Sequence, residues 1–218
     1  YTSRVFGAGY GKDTWAQYTE VNLNNTARVY EVYGGGQLGR VLNKKSADAW
    51  KTATNPDIDL SLGSGYTDNG LQNALATYKY NTNVRINEGA DVCGYMCNGS
   101  LSGAYAYGGG LGDKASLNDG EDHSHSDKTA NVNGNVGVNV TGGTINRVFG
   151  GSNTNGSITG TVTVDVNKGD NSGALHIAEL YGGGNLAAGN AGIINIGCTG
   201  ELTDDHTAHP ENIGTTLD

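Results

Sequence analysis

Short stretches of this chain alternate apolar and polar residues. The clearest stretch is Thr161-Val-Thr-Val-Asp-Val166, and Val136-Gly-Val-Asn-Val140 has the same period of two. Alternation with this period is typical of an extended strand with one buried face. A second apolar run that ends on an aromatic residue is seen at Leu175-His-Ile-Ala-Glu-Leu-Tyr181. The pattern predicts short strands along most of the chain, and Asp165 is expected on an outward face.

An aromatic residue followed by glycine recurs along the chain, and we call this unit a glycine corner. The aromatic positions are Phe6, Tyr33, Tyr95 or Tyr107, Phe149 and Tyr181, and the glycines that follow include Gly34, Gly108, Gly150 and Gly182. Glycine runs tolerate positive φ and a close approach of two backbones. We therefore interpret the glycines as structural corners and the aromatic residues as inward-stacking core residues.

Repeats of this length indicate a solenoid or a propeller. Each unit holds only two or three short strands, and its corners are glycine runs instead of hairpin turns, which favours a β-solenoid. In that fold each coil lays its strands parallel on those of the previous coil. Asparagine, which is abundant here, tolerates left-handed corners and forms amide ladders between coils. The predicted fold is all-β, in a single domain over residues 1–218.

Three segments depart from the repeat. Residues 43–82 contain two stretches with helical spacing, 47–54 and 71–78, and are predicted to be an insertion with short helices. Residues 111–131 are predicted to be an acidic, histidine-containing loop, and residues 198–218 a polar tail. The corner at Gly108 follows the preceding segment too soon for a full repeat, so we expect an extra half-coil there.

Composition limits the classes of partner. The formal net charge is -9 and the isoelectric point is about 4.9, which argues against nucleic acid and against insertion into or binding to an anionic membrane. Apolar residues occur in twos and threes, so no transmembrane helix is expected.

One segment carries residues typical of a metal site. In an extended conformation His123, His125 and Asp127 share a side, and together with Asp122 they are candidate ligands of zinc or another transition metal. Calcium would instead favour oxygen ligands from Asn118, Asp119, Glu121 and Asp122. A solvated polar loop without metal is the alternative, and we expect no other cofactor.

The three cysteines do not form a disulfide framework or a zinc knuckle. Cys93 and Cys97 are candidates for one disulfide if the protein is exported, and idle thiols are the alternative.

Several aromatic residues lie outside the glycine corners, and they are either packed in the core and insertions or exposed for stacking on sugar rings. They are Tyr10, Trp15, Tyr18, Tyr30, Trp50, Tyr66, Tyr78, Tyr80 and Tyr105.

The aromatic-glycine corners, alternating with strands such as Thr161–Val166, resemble the repeats of bacterial cell-surface β-helix proteins of the adhesin and autotransporter kind. The resemblance covers residues 1–42, 83–110 and 132–197. It implies a right-handed parallel β-helix (β-solenoid), displayed outside the cell or on its surface, with a structural or adhesive role. It implies no functional residue, because the corner motif is structural.

We therefore expect a non-enzymatic, extracellular structural or adhesive segment. It would belong to a longer array of repeats or stack end to end with copies of itself, and it would present its insertions or its ends to glycans or host-surface proteins. A polysaccharide-binding or polysaccharide-degrading protein on the same scaffold is the alternative. A groove lined by three or more carboxylates, or by a Lys/Arg pair on adjacent coils, would favour the enzyme.

Overall fold

The structure is a computed structural model that describes residues 2–11, 14–42, 80–93, 104–113, 129–168, 175–187 and 192–198. These residues form strands and turns, with no helix among them. The strands are β1 (Thr2–Phe6), β2 (Trp15–Ala16), β3 (Thr19–Leu23), β4 (Arg28–Tyr33), β5 (Arg40–Val41), β6 (Thr82–Ile86), β7 (Asp91–Val92), β8 (Tyr105–Tyr107), β9 (Val136–Val140), β10 (Gly143–Phe149), β11 (Val162–Lys168), β12 (Leu175–Tyr181) and β13 (Gly192–Cys198). The helices predicted within 43–82 lie outside the described residues.

The strands form two main sheets in which every pairing is parallel. The first sheet has the order β1-β4-β7-β10-β12, with β8 also between β4 and β10, and the second sheet has the order β3-β6-β9-β11-β13. The chain passes from one sheet to the other along its length, and a short pair, β2 with β5, lies on its path. The all-β prediction is confirmed, and the sheets are parallel.

Equivalent residues of successive strands are aligned in the second sheet. One inward row contains Val21, Val84, Val138, Val164 and Ile194, and the next contains Leu23, Ile86, Val140, Val166 and Ile196. Alternation places these side chains on one face, where most of them pack with inward residues of the first sheet into the main aliphatic core. The period-two pattern of the sequence therefore corresponds to a buried face that is continuous across strands.

The segment around Gly108 is not an extra half-coil. Strand β7 pairs with the first half of β4 and β10, and β8 pairs with the second half of the same two strands. The two short strands thus together take the place of one longer strand between β4 and β10. Tyr107 aligns with Tyr33 and with Phe149, so it takes the aromatic position of this repeat. Tyr95 lies outside the described residues.

The aromatic residues of the corners form a continuous stack. Neighbouring ring centroids are 4.7 to 5.1 Å apart, with interplanar angles of 9° to 10°. In chain order the stacked residues are Phe6, Tyr33, Tyr107, Phe149 and Tyr181. The three middle rings are buried, whereas Tyr181, the last ring, is 44% exposed.

The aromatic stack is a second core, separate from the aliphatic one. Val32 belongs to the aliphatic core, while the adjacent residue Tyr33 belongs to the aromatic cluster. Successive side chains of a strand point to opposite faces of the sheet, so the stack lies on the other side of the first sheet. Tyr105 and Leu111 pack against this cluster. The sequence predicted buried aromatic residues but not this division into two cores.

The hydroxyl groups in the stack have polar partners. The Tyr33 hydroxyl donates to Glu31 Oε2 over 3.1 Å and accepts from Asn153 Nδ2 over 2.9 Å. Burial, and then the charge of Glu31, raise the pKa of Tyr33, and the same two causes raise the pKa of Tyr107. These phenols are therefore held in the protonated form.

The corner glycines are needed for close backbone approach. A Cβ atom on Gly34 would lie 2.2 Å from the carbonyl oxygen of Gly108, and one on Gly108 would lie 2.2 Å from that of Gly150. The Gly34 amide donates to Tyr107 O over 2.9 Å, and the Gly108 amide to Phe149 O over 3.0 Å. None of these glycines has a positive φ, so the corner depends on the space freed by the missing side chain.

Polar side chains also align from strand to strand. Arg4 pairs with Glu31 and Arg147 with Glu179, each with a nitrogen–oxygen distance of 2.6 Å. Tyr105 occupies the position between these pairs, with the Arg147 guanidinium 5.5 Å from its ring centroid. At this position of successive strands, positive and negative side chains therefore follow one another, which avoids like-charge neighbours.

Cys93 is disulfide-bonded. Its partner is not among the side chains that the structure describes, and the predicted partner Cys97 lies outside the described residues. The Cys93–Cys97 pairing therefore stays a prediction.

We predict that Gly108→Ala destabilises the fold by about 1–3 kcal/mol or more, because the new methyl group would overlap the Gly150 carbonyl. Gly183→Ala is the matched control, since a Cβ there meets nothing within 4 Å, and a change of less than about 0.5 kcal/mol is expected. Chemical denaturation measures both. Equal effects of the two substitutions would contradict the close-approach account.

We also predict that the fold loses stability above about pH 10, where the tyrosines of the unfolded chain ionise. The raised pKa of Tyr33 and of Tyr107 means that the folded chain retains protons that the unfolded chain releases. The free energy of unfolding must then fall as the pH rises. Denaturation at a series of alkaline pH values measures the slope, and the double variant Tyr33→Phe/Tyr107→Phe is expected to show a shallower one. An unchanged slope in that variant would contradict this origin of the pH dependence.

Candidate functional site

The metal candidates of the sequence lie outside the described residues. This applies to His123, His125, Asp122 and Asp127, and to the calcium alternative with Asn118, Asp119 and Glu121. Within the described ranges, no group of three or more His, Cys, Asp or Glu residues is placed to hold a metal ion. The metal site therefore stays a prediction.

The described residues that flank the two predicted insertions lie on neighbouring strands. Val41, just before the first predicted insertion, forms a parallel bridge with Val132, just after the second. Val132 forms a further parallel bridge with Ile158. These three residues share a small apolar cluster. Residues just before the first predicted insertion thus lie next to residues just after the second predicted insertion. Strand β6 already begins at Thr82, the last residue of the first predicted insertion.

The outer face of the second sheet is polar and forms the best-defined candidate site. Its outward rows are Glu20, Asn83, Gly137, Thr163 and Ile193, and Asn22, Arg85, Asn139, Asp165 and Asn195. Asp165 is partly exposed on this face, as the alternating pattern predicts. Short side chains with amide, hydroxyl and carboxylate groups therefore lie along the strands.

An aromatic ring lies on this polar face. A Cβ atom added to Gly137 would be 2.4 Å from Cδ2 of Tyr80 and within 2.7 Å of two further ring atoms. The missing side chain at Gly137 thus leaves the space that the Tyr80 ring occupies. The Tyr80 hydroxyl donates to Asp165 Oδ2 over 3.3 Å. Burial, and then the charge of Asp165, raise the pKa of Tyr80, so the phenol stays a hydrogen-bond donor.

Asp165 accepts hydrogen bonds from two other residues of the site. Its Oδ1 atom accepts a hydrogen bond from Asn195 Nδ2 over 2.6 Å, while Oδ2 faces Tyr80. On the neighbouring strand β9, Asn139 Nδ2 donates to Asn83 Oδ1 over 2.7 Å. These hydrogen bonds fix the side-chain positions before any ligand binds.

Two adjoining depressions, one on this face and one towards the carboxyl ends of β9, β11 and β13, form what we call the sheet groove. The first has a volume of about 430 Å³ and is lined by Tyr80, Asn135, Thr161, Thr163, Asp165 and Asn195. The second has a volume of about 470 Å³ and is lined by Asn139, Thr141, Asp165, Val166, Asn167, Asn195, Ile196 and Gly197. Asp165 and Asn195 line both, so the two depressions adjoin at these residues.

Among the described residues that line the sheet groove there is one carboxylate and no cationic residue. This described lining therefore lacks the three carboxylates or the Lys/Arg pair that would favour polysaccharide cleavage. On the same outer face, Arg85 forms an ion pair with Glu20 at 3.5 Å. Burial opposes ionisation of Glu20, but hydrogen bonds from Tyr18 and Asn22 and the charge of Arg85 together lower its pKa. Glu20 is thus held as a charged partner of Arg85.

The two edges of the second sheet differ in exposure. On β13, Ile194 is 41% and Ile196 is 49% exposed, whereas Val21 and Leu23 on β3 are only 8% and 5% exposed. Each of these two strands pairs with one strand only among the described residues. The inward side chains at the β13 edge are thus open to solvent, and those at the β3 edge are not.

Sequence reasoning found Tyr80 only as one of nine aromatic residues outside the corners. The signal that would have selected it is Gly137, a glycine at an outward position of an alternating strand, which indicates that another group lies over the backbone there. Tyr80 itself precedes the strand β6, so its contact with β9 depends on the register between strands.

No protein-family model, curated protein or solved structure matches this chain. In the part of the chain that the structure describes, no helix is long and apolar enough to cross a membrane.

Proposed function

We propose that this chain is a right-handed parallel β-helix segment with a structural or adhesive role on the cell surface or outside the cell, and that it is not an enzyme. The observation that carries the proposal is the alignment of equivalent residues in parallel strands of both sheets. Such an arrangement extends by adding repeats of similar sequence. It supports a rigid body that holds loops at fixed spacing.

One further observation supports an extracellular location, and a second limits the class of partner. Cys93 is disulfide-bonded, and disulfides persist in oxidising compartments. The net charge of -9 suits a protein that does not associate with anionic membranes or nucleic acids.

The difference between the sheet edges bears on the choice between a longer array and a filament. A filament of identical copies needs an open edge at both ends of each copy, so that the β13 edge of one meets the β3 edge of the next. The inward side chains at the β3 edge are buried. This favours covering of the β13 edge by a neighbouring repeat of a longer chain.

A second candidate function is polysaccharide binding or degradation. The sheet groove, with Tyr80 beside Asp165 and Asn195, favours binding. Hydrolysis usually needs two carboxylates that flank the scissile bond, and the part of the groove lining that the structure describes contains one.

The proposed location and activity are testable together. Antibodies raised against the purified chain are expected to label intact cells of its source. The purified chain is expected to release neither reducing ends nor unsaturated sugars from a polysaccharide panel. Labelling that appears only after permeabilisation would contradict the location, and product release would support the enzyme instead.

We predict that the isolated chain forms particles of limited size, since the inward side chains of the second sheet are exposed at its β13 edge and buried at its β3 edge. Negative-stain electron microscopy and sedimentation velocity over a range of concentrations measure this. Ile194→Lys is expected to reduce any association, because it places a charge at the β13 edge, whereas Thr26→Lys, on an exposed turn, is the control. Regular filaments that lengthen with concentration would contradict the array proposal.

A further inference from the structure

We infer that the sheet groove binds an uncharged oligosaccharide, with one sugar ring against Tyr80 and its hydroxyl groups on Asp165 and Asn195. This inference rests on the adhesive function proposed above, because it names the chemical class of the adhesive partner. It uses residues of the second sheet together with Tyr80, which lies within the predicted insertion 43–82 just before β6, and it needs none of the metal candidates.

Tyr80 has the properties of a sugar platform. Its ring lies over Gly137 and its hydroxyl is held by Asp165, so the ring is ordered before a ligand arrives. A partly exposed aromatic ring offers an apolar surface to the C–H face of a sugar, while its edge stays polar. Pre-ordering lowers the conformational entropy that binding would cost.

The polar groups next to the ring match the hydroxyl groups of a sugar. The Asp165 carboxylate accepts from Tyr80 and from Asn195. Two carboxylate oxygens provide about four acceptor sites, so Asp165 retains capacity for donors from a ligand. Asn135 and Thr163 line the same depression and add amide and hydroxyl groups that both donate and accept. Neighbouring hydroxyls on one sugar present the same mixture of donors and acceptors.

The charge of the groove selects against acidic ligands. Among the described residues that line it, Asp165 is the one with a charge, and the whole chain carries a net charge of -9. A uronic acid, a sulfated sugar or a nucleic acid would bring a second negative charge next to Asp165, where the described lining holds no cation, which is unfavourable. The ligand class is therefore an uncharged saccharide.

The shape of the groove favours a chain of sugars over a single one. The depression beside Tyr80 adjoins, at Asp165 and Asn195, a second depression lined by Asn139 and Thr141. These residues lie on the outward positions of consecutive parallel strands or just beyond a strand end, so polar groups recur along the groove. An oligosaccharide would therefore contact Tyr80 with one unit and the asparagine-rich part with the next.

The test is binding of the full 218-residue chain to immobilised xyloglucan, galactomannan and amylose, with polygalacturonate and heparin as acidic comparisons. We expect binding to at least one neutral polysaccharide and weaker binding to both acidic ones. Tyr80→Ala is expected to weaken binding about tenfold through loss of ring stacking. Gly137→Ala is expected to weaken it as well, because the new methyl group displaces the Tyr80 ring.

Tyr10→Ala is the matched control, since Tyr10 is 76% exposed and does not line the groove; its binding is expected to be unchanged. Circular dichroism and thermal unfolding of each variant show whether the β fold is intact. Absence of binding to every neutral polysaccharide, equal loss in Tyr10→Ala and Tyr80→Ala, or preference for an acidic polysaccharide would each overturn the inference. If the chain is folded and located on the cell surface but fails these binding tests, this inference alone is overturned. The proposed structural role would then stand.

Discussion

The structure depends on the close approach of backbones at the glycine corners. Gly34, Gly108 and Gly150 follow one another with their backbones so near that a single methyl group would overlap a carbonyl oxygen. This approach lets each corner amide donate to the carbonyl of the next aromatic residue. It also fixes the register of the strands on either side, since a shift of one residue would place a side chain where only glycine fits.

Two cores follow from that register. Equivalent Val and Ile residues meet on the inner faces of the sheets, and equivalent aromatic rings meet on the other side of the first sheet. The same alignment extends to polar groups, so Arg4 meets Glu31 and Arg147 meets Glu179. On the outer face it brings Asp165 and Asn195 together and lets Tyr80 lie over Gly137. The candidate groove is thus a consequence of the parallel alignment, although its residues are far apart in sequence.

Much of the fold is visible in the sequence because it is periodic. The alternation in Val136–Val140 and Val162–Lys168 predicts strands, and the recurring aromatic-glycine unit predicts stacked repeats. The sequence could not show that β7 and β8 share one strand position, because the interruption between them hides their common register. It also could not show that Tyr33 faces away from the aliphatic core to which Val32 belongs, since both residues are apolar enough to be buried. The groove was harder still, because Tyr80 and Asp165 are 85 residues apart and only strand pairing brings them together.

The central claim is the alignment of the five aromatic rings across parallel strands, and nuclear magnetic resonance of selectively labelled protein tests it most directly. The account predicts nuclear Overhauser contacts between the rings of neighbouring pairs: Phe6 with Tyr33, Tyr33 with Tyr107, Tyr107 with Phe149, and Phe149 with Tyr181. It predicts none between Tyr33 and Phe149, which Tyr107 separates. Direct contact of Tyr33 with Phe149, or absence of contacts from Tyr107 to both neighbours, would contradict the register on which the fold and the groove rest.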